Sequence, residues 1–148
     1  MNVDILDHDH FRQLVEDKVL GAVQQHASEY PVQISNNPFK QPKDSKWVSL
    51  VIKSGESVTR SLGKKFIERT PGFVQIDIMH PAETGHAAPK KLAHKLAASL
   101  YPNKFAYATV TQANFWKKLV DEAPTTGSYF RIMARVFFWY DGFVERQS

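Results

Sequence analysis

The sequence contains no cysteine. Disulfides, thiolate nucleophiles and thiolate metal sites are therefore excluded, and a small chain without disulfides fits a cytoplasmic folding compartment. No apolar run approaches membrane-spanning length, and the start, MNVDILDHDHF, is acidic where a secretory signal is basic and then apolar, so neither export nor a bilayer is expected. Neither sign of charge dominates: 19 Lys and Arg stand against 15 Asp and Glu, a formal charge of +4 with a pI near 9.3. That balance is mildly basic and lacks the concentrated positive field of a dedicated nucleic-acid binder. Glycine is sparse, at 7 residues, and is never grouped into a phosphate-cradling loop. The connection PAETGHAAP after the run Phe73–Met79 carries Gly85 alone and no Gly-Lys-Ser/Thr ending, so it reads as a corner between a strand and a helix.

What is present suits a packed core. Hydrophobic residues make up 43% and aromatics 12% of the 148 residues, and length and composition predict one domain over 1–148. Asp7 or Asp9 can cap a first helix with Phe11, Leu14, Val15, Val19, Ala22 and Val23 on one side, running to about Ser28. A short extended piece, VQIS, and an irregular loop, NNPFKQPKDSK, lead to the strand WVSLVIK, in which Val48, Leu50 and Ile52 face one way and Trp47, Ser49 and Val51 the other. SGESVTRSLG, residues 54–63, is polar and glycine-bracketed, and is expected to be a mobile connection or a long hairpin tip.

KKFIERT and GFVQIDIMH read as two antiparallel strands turned by Pro71-Gly72. A second helix follows, with Ala88, Leu92, Leu96 and Leu100 on one side, Ala93 and Ala97 beside them, and Pro89 in its first turn. KFAYATVTQ and NFWKKLV are two further extended segments, DEAPTTGS is turn-rich, and YFRIMARVFFWY is the longest strand. One side of that last strand, Phe130, Ile132, Ala134, Val136, Phe138 and Tyr140, is core. The other mixes Arg131 and Arg135 with Met133, Phe137 and Trp139, a composition enriched at protein interfaces, although a covering helix with arginine stems reaching solvent is an equal reading. The expected fold class is α+β, a mainly antiparallel sheet with two principal helices packed on one face.

No catalytic constellation emerges. Asp7, His8, Asp9 and His10 alternate at a helix start, where capping is the expected role and neighbouring residues do not converge on one ion. His86 and His94 are two turns apart without a third partner, His80 ends a strand, and His26 ends a helix. Glu68 and Asp77, placed on the predicted hairpin, could form a carboxylate pair, but exposed cross-strand charges are common. No Gly-x-Ser-x-Gly elbow or HExxH pattern exists, and no catalytic, cofactor or metal site is expected. The generic rival is a small basic nucleic-acid-binding module, with Phe115, Trp116, Lys117 and Lys118, or Arg131 and Arg135 beside Phe137 and Trp139, stacking on and neutralising a single strand.

The opening amphipathic helix, NNPF before WVSLVI, the run ERTPGFVQIDIMHPAETGHAAPKKLAHKLAASL and the aromatic closing strand together resemble the tail terminator, or tail completion, proteins of long-tailed bacteriophages. Arg69 and Gly72 leading into FVQIDI, then Pro81, Gly85 and the Ala/Leu helix, carry most of the likeness. The resemblance implies a non-enzymatic virion assembly protein whose hexameric ring binds the last ring of the tail tube, stops its growth and offers its other face to a head-completion or connector protein. It also implies that DNA passes through the ring without sequence-specific binding, and a place at the head-proximal end of the tail after assembly in the host cytoplasm. Two candidate contact regions go with this: Arg131, Met133, Arg135, Phe137 and Trp139 for a neighbouring subunit or the tube, and the loop residues Ser54, Gly55, Glu56, Arg60 and Gly63 for a partner.

Overall fold

The computed structural model describes residues 5–34, 46–81, 87–123 and 129–145. The order is α1 (His8–His26), β1 (Val32–Ile34), β2 (Trp47–Ser54), β3 (Val58–Thr59), β4 (Lys65–Pro81), α2 (Ala87–Ala98), β5 (Asn103–Tyr107), β6 (Val110–Ala123) and β7 (Tyr129–Glu145). Asp7 is the residue that caps α1, its carboxylate accepting the Asp9 N–H at 2.9 Å, and the helix closes with the Ala27 N–H on the Val23 carbonyl at 2.7 Å. The α1 residues predicted to face inward, Phe11, Leu14, Val15, Val19, Ala22 and Val23, are the buried ones. On α2 the buried set is Pro89, Leu92, Ala93, Leu96 and Ala97, whereas Ala88, expected on that side, is exposed at the start of the helix.

All strands join one sheet in the order β1-β2-β4-β7-β6-β5, with β3 added to the far half of β4. Every pairing is antiparallel except β1 with β2. Both helices lie on the same face: α2 packs on β4 and β7, and α1 packs on α2 and on β5 and β6. Between them and the sheet sit Val48, Leu50, Val74, Ile76, Ile78, Ile132, Ala134, Val136, Phe138 and Tyr140, all buried, so the α+β expectation and the inward side of the closing strand hold. The Phe11 ring stacks on Tyr140 at 4.0 Å and tilts over Phe138 at 4.5 Å, which fastens α1 to β7. Deleting that ring should cost roughly 3–5 kcal/mol, as core Phe-to-Ala changes do.

The hairpin expected at Pro71-Gly72 is not formed. Residues 65–81 make one 17-residue strand that pairs with the 17 residues of β7 from Lys65↔Glu145 to Pro81↔Tyr129. In an antiparallel strand the N–H and C=O of one residue point the same way, and the Pro71 carbonyl accepts the Gly55 N–H at 2.8 Å on the β2 side. The missing Pro71 N–H therefore falls where β2 has ended and β3 has not begun, and no bond to β7 is lost. Gly72 meets a different demand. A Cβ there would lie 2.1 Å from the Lys53 carbonyl oxygen and 2.7 Å from Phe138 Cζ, so only glycine lets β2 and the Phe138 ring approach. Glu68 and Asp77, expected across a hairpin, thus lie along one strand and form no pair.

Two smaller differences follow, together with the form taken by residues 54–63. α1 stops at His26, two residues short of Ser28. The turn between the segments after α2 falls at Ala108-Thr109, with Ala108 at φ 51°, so Val110, Thr111 and Gln112 belong to β6. Residues 54–63 take the hairpin-tip form: β3 pairs with Glu68 and Arg69, and the Ile67 N–H donates to Ser61 Oγ at 2.7 Å. The loop NNPFKQPK and its continuation to residue 45, the corner from Ala82 through Gly85 with His86, and residues 124–128 of DEAPTTGS lie outside the described residues.

Candidate functional site

Strand alternation sends every second residue of β2, β4, β6 and β7 to the face opposite the helices. Register places Phe73 beside Phe137, Gln75 beside Arg135, Asp77 beside Met133 and Met79 beside Arg131. No helix among the described residues packs on this side, and both described helices lie on the opposite face. This side is not uniformly open, since Trp47 and Asp77 are buried on it.

Its two halves differ in chemistry. Near the start of β7, Arg131 Nη1 stands 4.0 Å from Asp77 Oδ2, Gln75 Nε2 donates to the same oxygen at 3.0 Å, and Arg135 Nη2 donates to Gln75 Oε1 at 2.7 Å. The Arg135 guanidinium also lies 4.3 Å from the centre of the Phe73 ring. These contacts fix both arginines, but Asp77 Oδ1 and the Nε atoms of Arg131 and Arg135 find no hydrogen-bond partner among the described residues.

The other half is an apolar cleft of about 560 Å³. Val58 of β3, Pro71 and Phe73 of β4, Phe137 and Trp139 of β7 and Trp116 of β6 line it, with Gly72 and Phe138 at its floor. Alternation sends Trp116 to this side and keeps Phe115 in the core, where its ring lies 6.0 Å from Phe11, and the register shift between Phe115 and Lys117 brings Lys117 onto the same side as Trp116. At one end Arg69 gives both Nε and Nη2 to the Asp141 carboxylate, at 2.8 and 3.0 Å, while its guanidinium stacks 3.5 Å from the centre of the Trp139 ring. The hydrogen bonds that Arg69 donates to Asp141 raise its already high pKa, so this cation is permanent and already paired. Val58 and Trp116 are each 53% exposed, an unusual cost for large apolar groups unless something covers them.

Of the candidate contact residues, Arg131, Met133, Arg135, Phe137 and Trp139 share this face, and Ser54 and Gly55 border its cleft. Glu56, Arg60 and Gly63 lie further out on the exposed tip, where Gly63 holds φ +120°. The Phe115–Lys118 run is split: Trp116 and Lys117 lie on the helix-free side, Phe115 is core, and Lys118 sits 5.9 Å from the Tyr101 ring on the other side. The four residues of that run therefore do not form one surface. His8 Nδ1 meets the Tyr140 hydroxyl at 2.6 Å and His10 Nδ1 meets Thr109 Oγ1 at 2.8 Å, so the DHDH run ties α1 to β7 and to the β5–β6 turn. Among the described residues no group of three or more His, Asp or Glu is placed to hold a metal ion.

Taken as a class, this is a single-sheet α+β protein with helices on one face and an aromatic, arginine-bearing surface on the other. Residues 12–136 match the family model described as phage tail terminator protein, and the chain belongs to that family. A solved structure covers 95% of this chain and 99% of its own, with a TM-score of 0.68 at 15% sequence identity, a likeness of fold. No curated protein matches the chain. Family membership gives the protein a role in phage tail assembly.

Proposed function

We propose that this chain terminates the tail tube: copies arranged as a hexameric ring bind the last tube ring at the head-proximal end, stop its polymerisation and leave the opposite side for the head connector. A cyclic ring meets a sixfold tube by repeating one heterologous contact until it closes. What supports the reading is a terminator-family chain whose helices occupy one sheet face only, leaving a large mixed surface of arginine and aromatic residues on the other. The arginines, the methionine and the aromatics of β7 are the contact surface for a neighbouring subunit or the tube. DNA passes through the ring and is not read. The work is done by binding alone, and neither a metal nor a cofactor takes part.

The test is electron microscopy of particles made without this protein. Tails of irregular or excessive length are expected. Tails of normal length that only fail to join heads would remove the capping role.

A further inference from the structure

We propose that the apolar cleft receives an aliphatic or aromatic side chain carried on an acidic segment of a different protein. The walls ask for an apolar anchor: Val58, Phe73, Trp116, Phe137 and Trp139 surround a cleft of about 560 Å³, a volume in the range of formed binding sites. The charge around it selects the anchor's neighbours. Arg69 is spent on Asp141 and Trp139, so it stiffens one wall and contributes little field. The charges still available are Lys53 on the border and Lys117, whose ammonium lies 5.4 Å from the Phe137 ring centre. Both are exposed and cationic, and neither has a carboxylate within ion-pair distance among the described residues. Glu56, the nearest acid in sequence, lies on the exposed loop and does not border the cleft.

A second copy of this chain fits poorly. Among the described residues the most exposed large apolar side chain is Leu62, at 91%, flanked by Arg60, Lys64 and Lys65, and Leu119 directly follows Lys117 and Lys118 while neighbouring Glu122 is paired with Lys90, so either would bring like charges onto Lys53 and Lys117. Ile5, exposed at 41% and close to acids, is held along β7 by the bond from the Leu6 N–H to the Phe143 carbonyl, and neighbouring Asp7 is committed to capping α1. An acidic, apolar segment of another protein satisfies both the walls and the lysines.

The experiment places a photoreactive benzoylphenylalanine at Trp116 in the full chain, within intact phage particles. Irradiation is expected to give an adduct with a virion protein other than this one, at a segment of net negative charge bearing an apolar residue. The double variant Lys53→Glu/Lys117→Glu, whose exposed positions leave the fold's circular dichroism unchanged, should lower the adduct yield at least tenfold. An adduct with a second copy of this chain, an adduct at a basic segment, no adduct in particles that contain the protein, or an undiminished yield from the charge-reversed variant would each overturn the assignment. The partner's place on the tail rests on the capping reading, yet the two fail separately. Normal tails without the protein remove capping, whereas a self-adduct in normal particles removes only the cleft's assignment.

Discussion

Replacing Gly72 by alanine tests the packing on which the cleft is built. The added Cβ would sit 2.1 Å from the Lys53 carbonyl oxygen, 2.7 Å from Phe138 Cζ and 3.0 Å from Ser54 Cα. Two of those three atoms are backbone of the paired strand β2, so no rotamer change can make room, and β2 must move or the Phe138 ring must leave its place in the core. Overpacking of this kind costs about 1–3 kcal/mol, and the rigid neighbours put this site near 3 kcal/mol. The loss of glycine's freedom in the unfolded chain returns about 0.4–1 kcal/mol, leaving a net loss of about 2 kcal/mol. For a domain near 150 residues each kcal/mol moves the melting temperature by about 2–4 °C, so a fall of ~4–8 °C is expected. Gly21→Ala is the matched control: nothing lies within 4 Å of its added carbon, and it sits inside α1, where alanine is favoured over glycine by about 0.5–1 kcal/mol. Both variants should be melted by circular dichroism at one protein concentration, since assembly would shift the midpoint. If Gly72→Ala melts at or above the unaltered protein while Gly21→Ala rises as expected, β2 and β4 are not as close as described and the cleft floor is wrong.

Arg69→Met should cost about 3 kcal/mol in urea unfolding, the low end for a broken buried pair because Arg69 keeps a quarter of its side chain in solvent, and Arg69→Met with Asp141→Leu should recover much of it; no loss in the single variant would mean that the pair is idle. Trp139→Ala should weaken assembly by at least ~2 kcal/mol, read by light scattering, while circular dichroism stays native; normal assembly would move the contact elsewhere on the surface. Burial pushes the Tyr140 and Tyr30 phenols above their ordinary value, so the unfolded chain ionises first. Their contribution is therefore intact below pH ~10 and is lost as pH climbs through the raised folded values. The urea midpoint should fall above that point and fall less steeply in Tyr140→Phe; an equal slope would assign the loss to other groups. Residues 54–63 should exchange amide hydrogens faster in the free protein than in assembled tails, and equal protection in both would remove them as a contact.

What could be foreseen from the sequence was what depends on local period. Val74, Ile76 and Ile78 against Gln75 and Asp77, and the alternation from Phe130 to Tyr140, mark one buried side because a strand repeats every second residue. The α1 core residues were legible for the same reason at helical spacing. Pro71-Gly72 misled because a proline-glycine pair looks the same whether it turns or runs straight; the difference lies in Gly55 and Phe138, which reach it from other strands. The turn at Ala108 carries neither glycine nor asparagine, so its left-handed residue left no mark. The mixed side of β7 was visible as a composition, but the cleft was not. It needs the register shift that sets Lys117 beside Trp116 on one side and the pairing of Arg69 with Asp141, residues 72 positions apart. Long-range register of that sort leaves no trace in a window of neighbouring residues.

The β4–β7 ladder also sets the order in which the protein can come together. Its central pair, Phe73 with Phe137, joins strands that have a helix and two other strands between them, so the middle of the sheet cannot form until a long loop has closed. Closing such loops costs entropy before any contact rewards it, and domains dominated by distant pairings fold in milliseconds to seconds, slower than helical ones. Until β7 arrives, β4 presents 17 residues of unpaired edge and the apolar sides of both helices have little to cover them. The most exposed intermediate is therefore a chain with β2 and β4 paired and β7 still free, and a strand of matching pattern from another copy could take the vacant place. Exchange of β7 between copies is the misassembly that this order leaves open, and it should grow with protein concentration.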